Sequence, residues 1–96
     1  MHIISKRRLR EFAVIHPVAR EPLDVWYRIC KKTAFESFAQ LKKAFRSADK
    51  VGKYTVFDIG GNKFRLIAVI HYRYGKIYVR HVLTHKEYDR GLWKKE

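Results

Sequence analysis

The chain has 96 residues, 47% hydrophobic and 15% aromatic, enough for the modest core of one domain spanning residues 1–96 without disulfide or metal staples. Lys and Arg number 22 against 9 acids, a net charge of +13 that exceeds what solubility needs and points to nucleic acid, the ribosome or another anionic surface as partner. The single cysteine, Cys30, excludes an intrachain disulfide and reads as a small buried apolar group; with no apolar run near the roughly 20 residues of a membrane span and no signal-peptide core at the N-terminus, a soluble cytoplasmic protein is expected.

In chain order, His2-Ile3-Ile4 suits a short strand, and Ser5 offers a side-chain oxygen to cap the helix that follows. Leu9, Phe12, Ala13 and His16 fall at helical spacing, Lys6, Arg7, Arg8 and Arg10 crowd the first turns, and Pro17 ends the element. A second helix is predicted from about 19 to 32, with Leu23, Trp26 and Cys30 on one face and Pro22 tolerable in its first turn. A third runs from about Ser37 to Phe45, with Phe38, Leu41 and Phe45 inward. Residues 47–53 carry turn chemistry and charge without periodicity and read as a loop.

Beyond residue 53 the period changes from 3.6 to 2, and strands are predicted at about 54–59, 63–72 and 76–84. Gly60-Gly61-Asn62 and Tyr74-Gly75 supply tight hairpins, giving an antiparallel meander. A two-residue turn at Gly61-Asn62 keeps Phe57 and Ile59 on the face of Phe64 and Leu66 and sets Asp58 opposite Arg65. A turn at Tyr74-Gly75 then places Ile70 opposite Val79, Ala68 opposite His81, Leu66 opposite Leu83 and Arg65 opposite Thr84. In this register His81 lies on the apolar face as a core histidine, while the other face carries Arg65, Tyr78, Arg80, Val82 and Thr84. The expected architecture is α+β, with two to three N-terminal helices packed on one face of an antiparallel sheet of three to four strands.

The last strand runs into Thr84-His85-Lys86-Glu87-Tyr88-Asp89, a concentration of proton-transfer groups to which the expected pairing delivers Arg65. Cleaving RNA takes a base for the 2′-OH, a cation for the charge on phosphorus and an acid for the departing 5′ oxygen, and these side chains include types for each role. His85 is the natural base or acid, since an unperturbed imidazole titrates at about 6.5. Arg80 reads as a phosphate anchor, Glu87 faces solvent, and Asp89 either caps a terminal turn or orients His85. Lys53, Lys63, Tyr78 and Lys86 join Arg80 as candidate RNA contacts, and the basic run from Lys6 to Arg10 is either a solvated face or a contact for ribosomal RNA or an acidic antitoxin. The histidines and Cys30 show no metal-ligand spacing, and no nucleotide fingerprint is present, so neither metal nor cofactor is implied.

The run Val56-Phe57-Asp58-Ile59-Gly60-Gly61-Asn62-Lys63-Phe64-Arg65-Leu66-Ile67, followed by Ile77-Tyr78-Val79-Arg80-His81-Val82 and Thr84-His85-Lys86-Glu87-Tyr88-Asp89, resembles the HigB group of bacterial type II toxins. A weaker likeness extends upstream through Ser47-Ala48-Asp49-Lys50, the Ser37 to Phe45 segment and Trp26. Asp58 departs from the Asn expected there. The resemblance implies a RelE-like fold, a metal-independent endoribonuclease acting on mRNA in the ribosomal A site, and a HigA-type helix-turn-helix antitoxin that neutralises it. Carried onto matching positions, it implies catalytic roles for Arg65, His85, Tyr88 and Asp89; together with the convergence of Arg65 on the terminal cluster this gives a leading expectation of His85 as base or acid, Arg65 with Arg80 on the scissile phosphate, Tyr88 stacking or transferring a proton, Asp89 orienting His85 and Lys86 on the backbone. The competing reading is a non-catalytic RNA- or ribosome-binding module using the same cations with Tyr78 and Tyr88 as stacking platforms; a DNA-binding protein is weaker, because no recognition helix stands out.

Overall fold

A computed structural model describes residues 1–95. The strands β1 (His2–Ile4), β2 (Asp49–Val51), β3 (Tyr54–Ile59), β4 (Phe64–His71) and β5 (Lys76–Thr84) form one sheet in the order β1-β5-β4-β3-β2, in which only β1 runs parallel to its neighbour. The helices are α1 (Lys6–Ile15), α2 (Arg20–Lys32), α3 (Phe38–Ala44) and α4 (His85–Arg90). The class is the expected α+β, with N-terminal helices on a mostly antiparallel sheet. Residues 49–51, expected as loop, instead pair with β3 as an edge strand, so the sheet has five strands.

The helical periodicity translates directly into the main core. Leu23, Trp26 and Cys30 of α2 are buried with Leu9 of α1 and Leu41 of α3 against Phe57, Ile59, Phe64, Leu66 and Ala68. Phe57 is wedged edge-on between Trp26 and Phe45, with ring centroids 5.3 and 5.1 Å away. Ser5 occupies the N-cap position of α1, but its hydroxyl makes no capping bond; the capping serine is Ser37, which accepts from the Gln40 N–H at 3.3 Å.

Cys30 is fully buried, and burial pushes its thiol up to about 12, against a smaller opposing effect of the Met1 ammonium, which donates to the Cys30 carbonyl at 2.8 Å. Because the thiolate is the reactive form, the native protein is expected to resist iodoacetamide at neutral pH and to be alkylated once unfolded in guanidinium. Equal alkylation rates in the two conditions, read by intact mass, would contradict this placement.

The first hairpin has the expected register, with Phe57 opposite Leu66, Asp58 opposite Arg65 and Ile59 opposite Phe64. The second does not. Its turn is a helical turn, Tyr72–Tyr74, closed by Gly75 at φ +63°, which pairs Ile70 with Ile77 and Ala68 with Val79. A register shift between Ile67 and Ala68 then passes over Arg80 and reverses the facing of the rest of β5, so that Leu66 meets Val82 and Arg65 meets Leu83. Val82 therefore packs on the helix-side core, while His81 pairs with Ile67 on the other face rather than serving as a core histidine.

That other face is not an open basic surface. A second cluster of Tyr54, Val56, Ile67 and Trp93 is buried there, with Val51, Val69, Leu83 and Tyr88 packed around it. Trp93 comes from a short helical turn, Leu92–Lys95, that folds the C-terminal segment over the sheet.

Candidate active site

The acid/base cluster sits on α4, an element absent from the expected fold. Two local signals were available for it. Thr84 and Glu87 form a capping box, with the Thr84 hydroxyl accepting from the Glu87 N–H at 3.2 Å and the Glu87 carboxylate accepting from the Thr84 N–H at 2.9 Å. Gly91 ends the helix at φ +70°, its N–H donating to the Tyr88 carbonyl at 3.0 Å. Glu87, expected only to face solvent, thus starts the helix that carries the cluster.

Helical spacing brings His85 and Asp89 together, and the imidazole Nδ1 lies 2.9 Å from Asp89 Oδ2. Both side chains are substantially exposed, His85 at 44% and Asp89 at 61%. With Nδ1–H donated to the carboxylate, Nε2 is left to accept or deliver a proton. The start of α4 is tied to the β3–β4 turn through the His85 N–H, which donates to the Lys63 carbonyl at 3.2 Å.

Arg65 reaches the cluster from β4, through Tyr88: its guanidinium carbon lies 5.3 Å from the Tyr88 ring centroid. The Arg65 side chain is only 10% exposed, and each of its nitrogens is engaged within the fold. Nε lies 3.1 Å from Asp58 Oδ1, Nη1 donates to the carbonyls of Asn62 and Phe64 at 3.3 and 3.2 Å, and Nη2 donates to the Asn62 side-chain oxygen. Such a guanidinium is a fixed positive charge beneath the site, not a mobile clamp. Asp58, where the resemblance led to an expectation of Asn, supplies its counter-charge. Asn62, read from sequence only as a turn residue, holds it as well; the Gly-Gly-Asn signal was explained by the hairpin and its amide was overlooked.

Sequence reasoning also missed Trp93. Its ring stacks on Tyr88 with centroids 5.2 Å apart and planes 13° from parallel, and its Nε1–H donates to the Tyr88 carbonyl at 3.1 Å. The available signal was a lone large aromatic in the charged segment Arg90-Gly91-Leu92-Trp93-Lys94-Lys95, where a side chain of that size is seldom left in water.

The remaining candidates separate into two places. Lys86 is exposed on α4, and Lys63 is exposed on the turn that binds the start of α4. Tyr78 stands six residues before Thr84 on β5, about 20 Å away at the strand rise of about 3.3 Å per residue. It packs edge-on to His71, with centroids 5.3 Å apart, and Lys53 lies at the same end of the sheet, its ammonium 5.3 Å from the Tyr54 ring centroid. Tyr78 and Arg80 line a 480 Å³ concavity with Ser5, Arg7, Arg8 and Glu11, where Arg8 donates to the Arg80 carbonyl at 3.0 Å and Arg7 pairs with Glu11 at 3.1 Å. Arg7, Arg8 and Arg80 thus form a second basic area with Tyr78, and Lys53 is not among the residues that line it. Among the described residues no three metal-ligating side chains gather, and no helix is long and apolar enough to cross a membrane.

Comparison with known proteins places this geometry in context. Residues 19–91 match the HigB_toxin family model, described as the RelE-like toxic component of a toxin-antitoxin system. The chain is 37% identical over 93 residues to "mRNA interferase HigB" of Escherichia coli O6:H1 (strain CFT073), covering 94% of this chain and 90% of that protein. It is 35% identical over 92 residues to "mRNA interferase toxin HigB" of Escherichia coli K12, covering 93% and 88% respectively.

Proposed function

The chain belongs to the HigB toxin family of RelE-like toxic components of toxin-antitoxin systems, and from that premise we propose that it is an endoribonuclease that cuts mRNA in the ribosomal A site. In this reading residues 1–96 act as one domain in the cytoplasm, without a metal, and a HigA-type helix-turn-helix antitoxin neutralises them. The observation that carries the reading is the His85–Asp89 pair, placed on a short exposed helix next to the Arg65 charge.

The chemistry follows from the residues at hand. Asp89 holds Nδ1–H, so Nε2 of His85 takes the proton of the 2′-OH as O2′ attacks phosphorus. The P–O5′ bond breaks, leaving a 2′,3′-cyclic phosphate, and the 5′ oxygen receives a proton from the Tyr88 hydroxyl or the Lys86 ammonium. Arg65 contributes a fixed positive potential beneath the reacting phosphate, and Lys63 and Lys86 supply direct backbone contacts. With its ring stacked on Trp93 and approached by Arg65, Tyr88 serves as a hydroxyl rather than as an open platform for a base. Tyr78 and Arg80, in the concavity with Arg7 and Arg8, and Lys53, beside Tyr54, bind flanking mRNA or ribosomal RNA.

The test is cleavage of a defined mRNA by the purified chain, mapped by primer extension with and without programmed ribosomes. Cuts confined to the ribosome-containing reaction are the expected result. Cuts on free mRNA would remove the ribosome dependence. RNA binding without cuts, with affinity falling steeply as salt rises, would replace the enzyme with an RNA-binding module, a reading that the second basic area supports.

A further inference from the structure

We propose that Trp93 is a positioning residue for this site: its indole, seated on the sheet face away from the N-terminal helices, holds the Tyr88 ring and thereby the helix that carries His85 and Asp89. The inference rests on the cleavage reading above for its kinetic consequence, but its structural half stands alone. Helix α4 has six residues and no buried side chain of its own. Isolated helices shorter than about 12 residues are marginal in water, so α4 depends on what its side chains touch. Among the described residues these contacts include the His85 N–H on the Lys63 carbonyl, the Arg65 guanidinium near Tyr88, the packing of Tyr88 on the second cluster, and Trp93.

Trp93 supplies two of these attachments, a ring stack and a hydrogen bond. It is 3% exposed, packs edge-on against Tyr54 at 5.7 Å between centroids, and is buried with Val56 and Ile67. From that seat it makes both the ring stack and the Nε1–H bond to the Tyr88 carbonyl, which also accepts from Gly91 at 3.0 Å. Gly91, at positive φ, turns the chain back so that a residue beyond the helix can support it. Trp93 lies past the segment matched by the family model, so this support is not part of the matched pattern. It does not touch the His85–Asp89 pair, and its effect on chemistry passes through Tyr88 and α4.

Three substitutions in the full chain test this: Trp93→Phe keeps a ring that can stack, Trp93→Leu keeps an apolar plug without one, and Trp93→Ala keeps neither. Each is measured for maximal single-turnover cleavage rate, half-saturating concentration of programmed ribosomes, folded fraction by circular dichroism, and the NMR shifts of the Tyr88 ring protons. Positioning predicts that Trp93→Leu, although folded, loses on the order of 100-fold in maximal rate with half-saturation little changed, because a displacement of about 1 Å can cost that much. Trp93→Phe should restore most of the rate, and the Tyr88 ring protons should move downfield in the Leu and Ala variants as the indole ring current disappears. If Leu rescues as well as Phe, or if rate falls only in proportion to folded fraction, Trp93 is an apolar plug and the inference fails. If the wild-type chain does not cut RNA, the cleavage reading fails separately; Tyr88 shifts and α4 amide exchange unaltered by Trp93→Leu would then overturn the positioning role, and their alteration would sustain it.

Discussion

His85→Ala is expected to lower single-turnover cleavage of ribosome-bound mRNA by about 10²–10⁴-fold, the range for loss of a positioned general acid or base. Folding should be nearly untouched. The side chain is 44% exposed, its partner Asp89 is 61% exposed, and even a charged pair at such exposure contributes less than about 1 kcal/mol. Helix α4 starts through the Thr84–Glu87 capping box, which does not involve the imidazole. Asp89→Ala should cost less, on the order of tenfold, because water can take the Nδ1–H bond at an exposed site while Nε2 remains. Binding to programmed ribosomes should be retained by both variants, so the loss belongs to the chemical step. An His85→Ala protein that cuts at the wild-type rate would remove the assignment of the base. A loss that disappears at saturating ribosome concentration would move His85 from chemistry to binding.

Arg65→Ala is expected to have the largest effect on stability, roughly 3 kcal/mol, or on the order of 15 °C in Tm for a domain of this size. Removing the guanidinium takes the counter-charge from the Asp58 carboxylate and the Arg65 donors from the Asn62 side-chain oxygen and the carbonyls of Asn62 and Phe64. The value is set toward the low end of the range for a broken buried pair because the Asp58 side chain is 28% exposed and water can reach it. Arg65→Lys should recover little, since one ammonium cannot span Asp58, Asn62 and Phe64 together. Asp58→Asn should cost about 1 kcal/mol, because an amide oxygen can still accept from Nε. Cleavage by folded Arg65→Ala should also fall, as the fixed charge near Tyr88 is lost. Thermal melts read both claims: an Arg65→Ala protein melting within about 3 °C of wild type would show that the network is cosmetic.

The two hairpins show how far strand periodicity carries. Between β3 and β4 the Gly-rich turn and the alternation of Phe57, Ile59, Phe64 and Leu66 admit one register, and the Asp58–Arg65 pairing follows from it. Between β4 and β5 both faces of the sheet are partly apolar, since Ile67, Val69 and Leu83 pack in the second cluster while Leu66, Ala68 and Val82 pack in the first. Alternation alone then leaves the facing open. The helical turn at Tyr72–Tyr74 and the register shift beside Arg80 decide it, at a cost of one position for Arg65 and a change of face for His81 and Val82.

By itself, the sequence determined the N-terminal helices and their buried residues, the extents of β3 and β5, the family, and the residue types that converge at Thr84-His85-Lys86-Glu87-Tyr88-Asp89. These are local properties, set by side-chain spacing and turn chemistry within a few residues. Tertiary structure decided that β1 pairs in parallel with β5, that residues 49–51 join the sheet, that Arg65 is enclosed by Asp58 and Asn62, and that Trp93 covers the face opposite the N-terminal helices. The β1–β5 pairing joins segments remote in sequence, and the seat of Trp93 depends on apolar surface present only once the sheet has formed; the 49–51 pairing and the enclosure of Arg65 are close in sequence, but hydrogen-bond satisfaction within the folded sheet completes them.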